Sequence, residues 1–154
     1  MKTSHERSDM SDFNSVNESL IQLFHDITIL EEQFLKNSEY SDVTLKELQE
    51  LCLIHKMGNA RATDIAKNQR LSLSTITITL NRLETKGYIS RKKSKMDRRV
   101  IDIVLTEKGN ALCDLHRETF KDITEKLLKS VFGTTEEKLA GELEEFHDFL
   151  EKSK

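Results

Sequence analysis

The chain has no proline and no tryptophan, and only five glycines among its 154 residues. Proline breaks helices and glycine weakens them, so their scarcity favours long uninterrupted helices and excludes an all-β or proline-rich architecture. There are two cysteines, Cys52 and Cys113, no secretory leader, and no apolar run approaching the roughly 18 residues a membrane span needs. These absences predict a cytoplasmic protein with reduced thiols and no membrane contact. No acid, base and nucleophile converge in the pattern, and no glycine-rich phosphate loop is present, so no catalytic function and no cofactor are expected. No His-x-x-x-His pair occurs, and His25, His55, His116 and His147 read as packed or solvated side chains, not as a metal site. Internal repeats and low-complexity linkers are also missing, which leaves one domain, long enough to bury a core without disulfides or metals.

What is present is unevenly distributed. The net charge is −3, yet Arg82 to Arg99 holds eight basic residues against Glu84 and Asp97. That stretch is about +6 and leaves about −9 elsewhere, a field that attracts phosphate at one place and repels it from the rest.

Apolar positions Val16, Leu20, Leu23, Phe24, Ile27, Leu30 and Phe34 recur at three- and four-residue steps and predict a first helix, with structure beginning near Phe13 after a frayed terminus. Ile21, Ile29 and Leu35 widen its apolar face, as a helix needs when it covers both its own domain and a second subunit. Thr44 and Glu47 have capping-box spacing ahead of a second helix that ends at Gly58-Asn59. A short third helix is expected over about Ala62 to Asn68. A long helix from Thr106-Glu-Lys-Gly109 to near Gly133 and a last helix capped by Thr134 or Thr135, with Leu139, Leu143, Phe146 and Leu150 on its buried face, complete the chain.

Thr75-Ile76-Thr77-Ile78-Thr79 alternates like a strand, but the wider window is helical. Leu73, Ile76, Leu80 and Leu83 fall at helical steps and are expected to face the core, Ser72 can serve as N-cap, and Gly87 sits where a left-handed C-terminal residue belongs. A helix over Leu73 to Lys86 then presents Ser74, Thr75, Thr77, Ile78, Asn81 and Arg82 outward or on its flanks. The runs Tyr88 to Lys92 and Val100 to Leu105, joined by the charged loop Lys93 to Arg99, predict a hairpin with Lys95, Arg98 and Arg99 at its tip. The fold class expected is mainly α with a small β-hairpin wing. A winged helix-turn-helix lobe spans 44–105, and 13–36 and 107–152 form dimerisation helices. Small hydroxyl and amide side chains on a helix suit the major groove, and a basic hairpin tip suits the adjacent backbone and minor groove.

Leu73-Ser-Thr-Ile-Thr, Asn81-Arg-Leu-Glu-Thr-Lys-Gly-Tyr-Ile, Ser94-Lys-Met-Asp-Arg-Arg and Leu105-Thr-Glu-Lys-Gly109 resemble the recognition helix, wing and wing-to-helix junction of MarR-family transcription regulators. The resemblance implies that Ser74, Thr75, Thr77, Ile78 and Arg82 face a palindromic double-stranded DNA operator, with Ser72 at the start of that helix. It implies that Asp97 pairs with a wing arginine, Arg99, which enters the minor groove beside Lys95 and Arg98, and that Ile78 meets a thymine methyl. A homodimer is the implied assembly. Gln69-Arg70 stands where the family has a leucine-glycine pair and Arg61 where it has a hydroxyl residue, which leaves the turn geometry open.

Ile29-Leu-Glu-Glu32 and Leu115-His116 are similar to the branch that represses bacterial fatty-acid synthesis genes, whose DNA affinity responds to long-chain acyl groups on acyl carrier protein. In that reading Ile21, Phe24, Ile29 and Phe34 with Met57, Leu112, Leu115 and Phe120 line an acyl tunnel. In the alternative they form dimer core, and the signal is a small aromatic ligand, thiol oxidation or zinc.

Overall fold

A computed structural model of the chain describes residues 4–94, 97, 99–127 and 136–153. Its element order is α1 (Ser4–Asn37), α2 (Leu45–Met57), α3 (Ala62–Gln69), α4 (Leu73–Thr85), β1 (Ile89–Lys93), β2 (Ile101–Leu105), α5 (Glu107–Leu127) and α6 (Glu136–Lys152). This is a mainly helical chain with one antiparallel hairpin, the winged helix-turn-helix order expected from the sequence. The chain separates into two compact units, residues 1–110 and 111–154.

Helix α1 starts at Ser4, nine residues before the expected Phe13. The segment contains no proline or glycine, so nothing in its backbone stops the helix from extending toward the terminus. Val16, Leu20, Ile21, Leu23, Phe24, Ile29 and Leu30 are exposed along α1, and Leu35 near its end is buried.

Helix α2 opens with the capping box read from the sequence. The Thr44 side chain accepts the Glu47 amide, and the Glu47 carboxylate accepts the Thr44 amide at 2.9 Å. It closes at Gly58, where φ is +74°. Leu48, Leu51 and Ile54 form its buried stripe against Ile65, Ile76, Leu80, Leu83, Tyr88 and Ile103, which together make the core of the first unit. The hairpin pairs Ile89 with Leu105 through Lys93 with Ile101, one residue inside the bounds expected at each strand start. Ala60, between α2 and α3, exchanges two backbone hydrogen bonds with Ile103, so a third short stretch of backbone flanks β2.

In the second unit Leu112, Cys113 and Leu139 are buried, and the His116 and Phe120 rings lie 4.7 Å apart. The sequence places Leu143, Phe146 and Leu150 on a buried face of α6, and this is corrected: all three are exposed, at 54%, 50% and 42%. A stripe designed for a partner surface has the same spacing as one designed for the chain's own core, so periodicity cannot tell the two apart. Val131, Gly133, Thr134 and Thr135 lie outside the described residues.

Candidate nucleic-acid interface

Helix α4 is held by three fully buried side chains, Ile76, Leu80 and Leu83, at steps of four and three. Leu73, expected in the core, is 48% exposed. It is the first residue of the helix, a turn ahead of the point where α4 reaches the core, so its helical spacing has nothing to pack on. The helix ends in a Schellman motif: the Tyr88 amide donates to the Leu83 carbonyl and the Gly87 amide to the Glu84 carbonyl, each at 2.9 Å, with Gly87 at φ +80°.

The outward face carries Ser74, Thr75, Thr77, Ile78, Asn81 and Arg82, all exposed. Ser72 caps the helix by accepting the Thr75 amide at 3.1 Å, and its hydroxyl lies 2.8 Å from those of Ser74 and Thr75. Ser72 therefore shapes the first turn. Thr77 is exposed and donates its hydroxyl proton to the Leu73 carbonyl at 2.7 Å, which leaves the oxygen's lone pairs to accept from a base amino group.

The turn before α4 is made without a glycine. Arg70 adopts the left-handed conformation, φ +54° and ψ +35°, and its amide donates back to Lys67 and Ala66. Gln69 donates through Nε2 to Glu50 Oε2, and the other Glu50 oxygen is buried without a hydrogen-bond partner. Burial pushes the Glu50 carboxyl above its ordinary range, against the opposing pull of the Gln69 hydrogen bond and the Lys46 charge.

The wing tip is closed by the Ser94 amide on the Val100 carbonyl and the Val100 amide on the Asp97 carbonyl, each at 2.9 Å. Asp97 engages Arg99 through the main chain: its Oδ1 accepts the Arg99 amide at 2.9 Å and so sets the tip conformation. Arg99 is exposed, and Lys95 and Arg98 lie outside the described residues.

Two of the eight cations counted in the basic stretch hold the fold together. Arg91 on β1 forms an ion pair with Glu84 and donates to Asn81 Oδ1 at 2.7 Å, tying the wing to the end of α4. Lys86 reaches back to α2, donating to Glu47 Oε2 at 2.7 Å and to the Asp42 carbonyl at 2.5 Å. Burial alone would raise the Glu47 carboxyl, but the hydrogen bonds from Lys86 and from the Thr44 amide and hydroxyl hold it below the usual range. Arg82, Lys92, Lys93 and Arg99 remain exposed, and among the described residues none of them forms an ion pair.

Behind the wing, the Leu105-Thr-Glu-Lys-Gly109 segment forms a single junction. The Thr106 hydroxyl donates to the Gly87 carbonyl at 2.7 Å, its amide donates to the Tyr88 carbonyl at 3.0 Å, and the Lys108 ammonium lies 4.0 Å over the Tyr88 ring. Tyr88 donates to Asp42 Oδ1 at 2.6 Å, and burial, then the Asp42 carboxylate, pushes its phenol well above the ordinary value.

Sequence reasoning missed two cationic neighbours. Lys46 lines a cleft of about 250 Å³ with Thr75, Ile78 and Arg82. Arg61 lines a second cleft, of about 450 Å³, with Lys92, Lys93 and Asp102. The signal for Arg61 is the Ala60 bridge to β2, which no local pattern announces. Among the described residues no cluster of three His, Cys, Asp or Glu side chains could hold a metal, and no helix is long and apolar enough to cross a membrane.

A hydroxyl-bearing helix anchored at three points, beside a cationic hairpin locked to its end, defines the winged helix-turn-helix class. The chain belongs to the MarR family, whose model matches residues 43–101. It is 30% identical over 106 residues to the multiple antibiotic resistance protein MarR of Escherichia coli K12, covering 58% of this chain and 74% of that protein. It is 35% identical over 92 residues to the HTH-type transcriptional repressor MdtR of Bacillus subtilis 168, covering 60% of this chain. The match spans 57% of the length of MdtR, less than two thirds. Among solved structures, Streptococcus pneumoniae FabT in complex with DNA matches with a TM-score of 0.78 and 33% identity over 92% of this chain and 99% of that one.

Proposed function

We propose that the chain is a non-catalytic, sequence-specific DNA-binding transcriptional repressor, acting as a homodimer on a palindromic operator in the cytoplasm. The observation that carries this reading is the arrangement of α4 and the wing: outward hydroxyls on a helix narrow enough for the major groove, with Arg99 at the tip of a hairpin that Arg91 fixes to the same helix. Ser74 and Thr77 read base edges, Arg82, Lys92 and Lys93 meet phosphates, and Arg99 enters the minor groove with Lys95 and Arg98 beside it. The exposed apolar stripe of α1 supports a second copy as its cover.

Within the family, the reading favoured here is a repressor of fatty-acid synthesis genes whose DNA affinity is modulated by long-chain acyl groups on acyl carrier protein. Its support is the likeness to FabT, at 33% identity and a TM-score of 0.78 over 92% of this chain and 99% of that one. An effector acts by binding the DNA-competent and incompetent forms with different affinity, since it can shift their balance by no more than that difference.

The test is selection from a random-sequence duplex library, followed by binding of the enriched palindrome at graded salt, with and without hexadecanoyl-acyl carrier protein. Enrichment of a palindrome, a steep salt dependence and an affinity changed by the acylated carrier support the reading. An affinity indifferent to salt would overturn DNA binding. An affinity indifferent to the carrier but altered by zinc, peroxide or an aromatic acid would move the protein to another branch.

A further inference from the structure

We infer that the cleft between the start of α2 and one flank of α4 holds a deoxyribose-phosphate unit of the DNA backbone, with Lys46 and Arg82 on the phosphate and Ile78 against the sugar. This rests on the DNA-binding reading above and adds to the recognition helix a contact from Lys46 on α2.

The cleft is open, about 250 Å³, and Lys46 and Arg82 line it from two different helices. Among the described residues neither forms an ion pair and both are exposed, although the Lys46 charge also acts on the Glu50 carboxyl. The acid in the lining, Glu47, is already neutralised: both its oxygens accept from Lys86, at 3.0 and 2.7 Å, and one also accepts the Thr44 amide and hydroxyl. Ile78, 54% exposed, lines the same cleft as the two cations. A solvated pair of cations has no use for an apolar surface beside them. A sugar-phosphate matches it, since the deoxyribose presents carbon to the isoleucine while the phosphate takes the two charges.

The outward face of α4 thereby divides. Thr75, Ile78, Thr79 and Arg82, at helical steps of three, four and seven, line the cleft toward α2. Ser74, Thr77 and Asn81 run along the other flank, where Asn81 is bonded to Arg91 of the wing. With α4 in the major groove, the flank toward α2 meets the groove wall, which is backbone, and base reading falls to Ser74 and Thr77. Ile78 is then a backbone contact in place of the thymine-methyl contact implied by resemblance.

Lys46→Ala, Lys46→Arg, Ile78→Ala and, as a control, Lys56→Ala at the exposed far end of α2 are compared on the palindrome selected by the wild-type protein and on a scrambled duplex of equal length. Lys46→Ala is expected to weaken both duplexes by about five- to tenfold and to reduce the slope of log affinity against log salt by about one, with unchanged Tm. Lys46→Arg keeps the affinity and slope, Lys56→Ala changes neither, and Ile78→Ala weakens both duplexes alike. Wild-type affinity and slope in Lys46→Ala, or a loss in Ile78→Ala confined to one base pair of the palindrome, overturns the inference while leaving DNA binding intact. A wild-type protein that enriches no palindrome and binds without salt dependence overturns the DNA-binding reading and this inference together.

Discussion

Gly109 lies so close to the carbonyl of Tyr88 that a Cβ on it would stand 2.2 Å from that oxygen. The contact is backbone against backbone, at the point where the first turn of α5 closes over the end of the recognition unit, so neither side can yield by a rotamer change. Gly109→Ala is expected to lower stability by about 2–3 kcal/mol through overpacking, with a fall in Tm of several degrees measured by circular dichroism. An unchanged Tm would show that the two backbones can separate freely.

Arg70 holds a left-handed conformation that a glycine would adopt without strain. Replacing it removes whatever its side chain contributes, so the informative comparison is between two replacements. Arg70→Gly should be more stable than Arg70→Val by about 1–2 kcal/mol in urea denaturation, because a β-branched residue is most penalised at positive φ. Equal stabilities would mean that the turn relaxes to another conformation.

Glu47 and Glu50 are buried on the same helix and respond to pH in opposite senses. The Glu47 carboxyl is held below its ordinary 4.5 in the folded state, so its contribution is present above that value and is lost as pH falls through the folded pKa. Glu50 is raised above 4.5, so its ionised form opposes folding at neutral pH, and that penalty is relieved as pH falls through the raised folded pKa and is gone by about 4.5. Glu47→Gln should therefore destabilise the protein by about 1–2 kcal/mol at pH 7 and progressively less in acid. Glu50→Gln should stabilise it at pH 7 by about 1 kcal/mol, with the gain fading as pH falls toward 4.5. Urea titrations at pH 7 and pH 4 check both, and parallel behaviour of the two variants would refute the assignment.

Arg91 and Arg99 are both wing arginines, but among the described residues only the guanidinium of the first is paired with a carboxylate, that of Glu84, whereas Arg99 meets Asp97 through its amide. Arg99→Ala is expected to cost operator binding about 1–3 kcal/mol and to flatten the salt slope by about one, with Tm unchanged. Arg91→Ala should also weaken binding, through misplacement of the wing, but should leave the salt slope close to wild type because its charge is already compensated. Identical slope changes in the two variants would show that Arg91 meets phosphate directly.

Phe24 is 60% exposed in the middle of the α1 apolar stripe. If the α1 stripe is covered by a second copy, as proposed, Phe24→Glu should give a monomer in analytical ultracentrifugation where the wild type is a dimer, and should abolish tight binding of a full palindrome while sparing weak half-site binding. A dimer that persists unchanged would place the interface elsewhere.

The sequence by itself determined the order of the elements, their caps and the buried stripe of α4. Thr44 with Glu47, Ser72, Gly58 and Gly87 all act where local pattern put them, because a cap or stop depends on residues within about four positions of itself. The Thr-Ile alternation of α4 resolved to helix for the same reason, through Ile76, Leu80 and Leu83. Only the tertiary structure decided which charges are free. Lys86 is consumed by Glu47, 39 positions away, and Tyr88 by Asp42, 46 positions away, pairings that no periodicity encodes. It likewise decided that Leu73 is exposed and that Lys46 stands beside the recognition helix. Backbone periodicity specifies which face a residue occupies. What that face meets depends on segments brought together from across the chain.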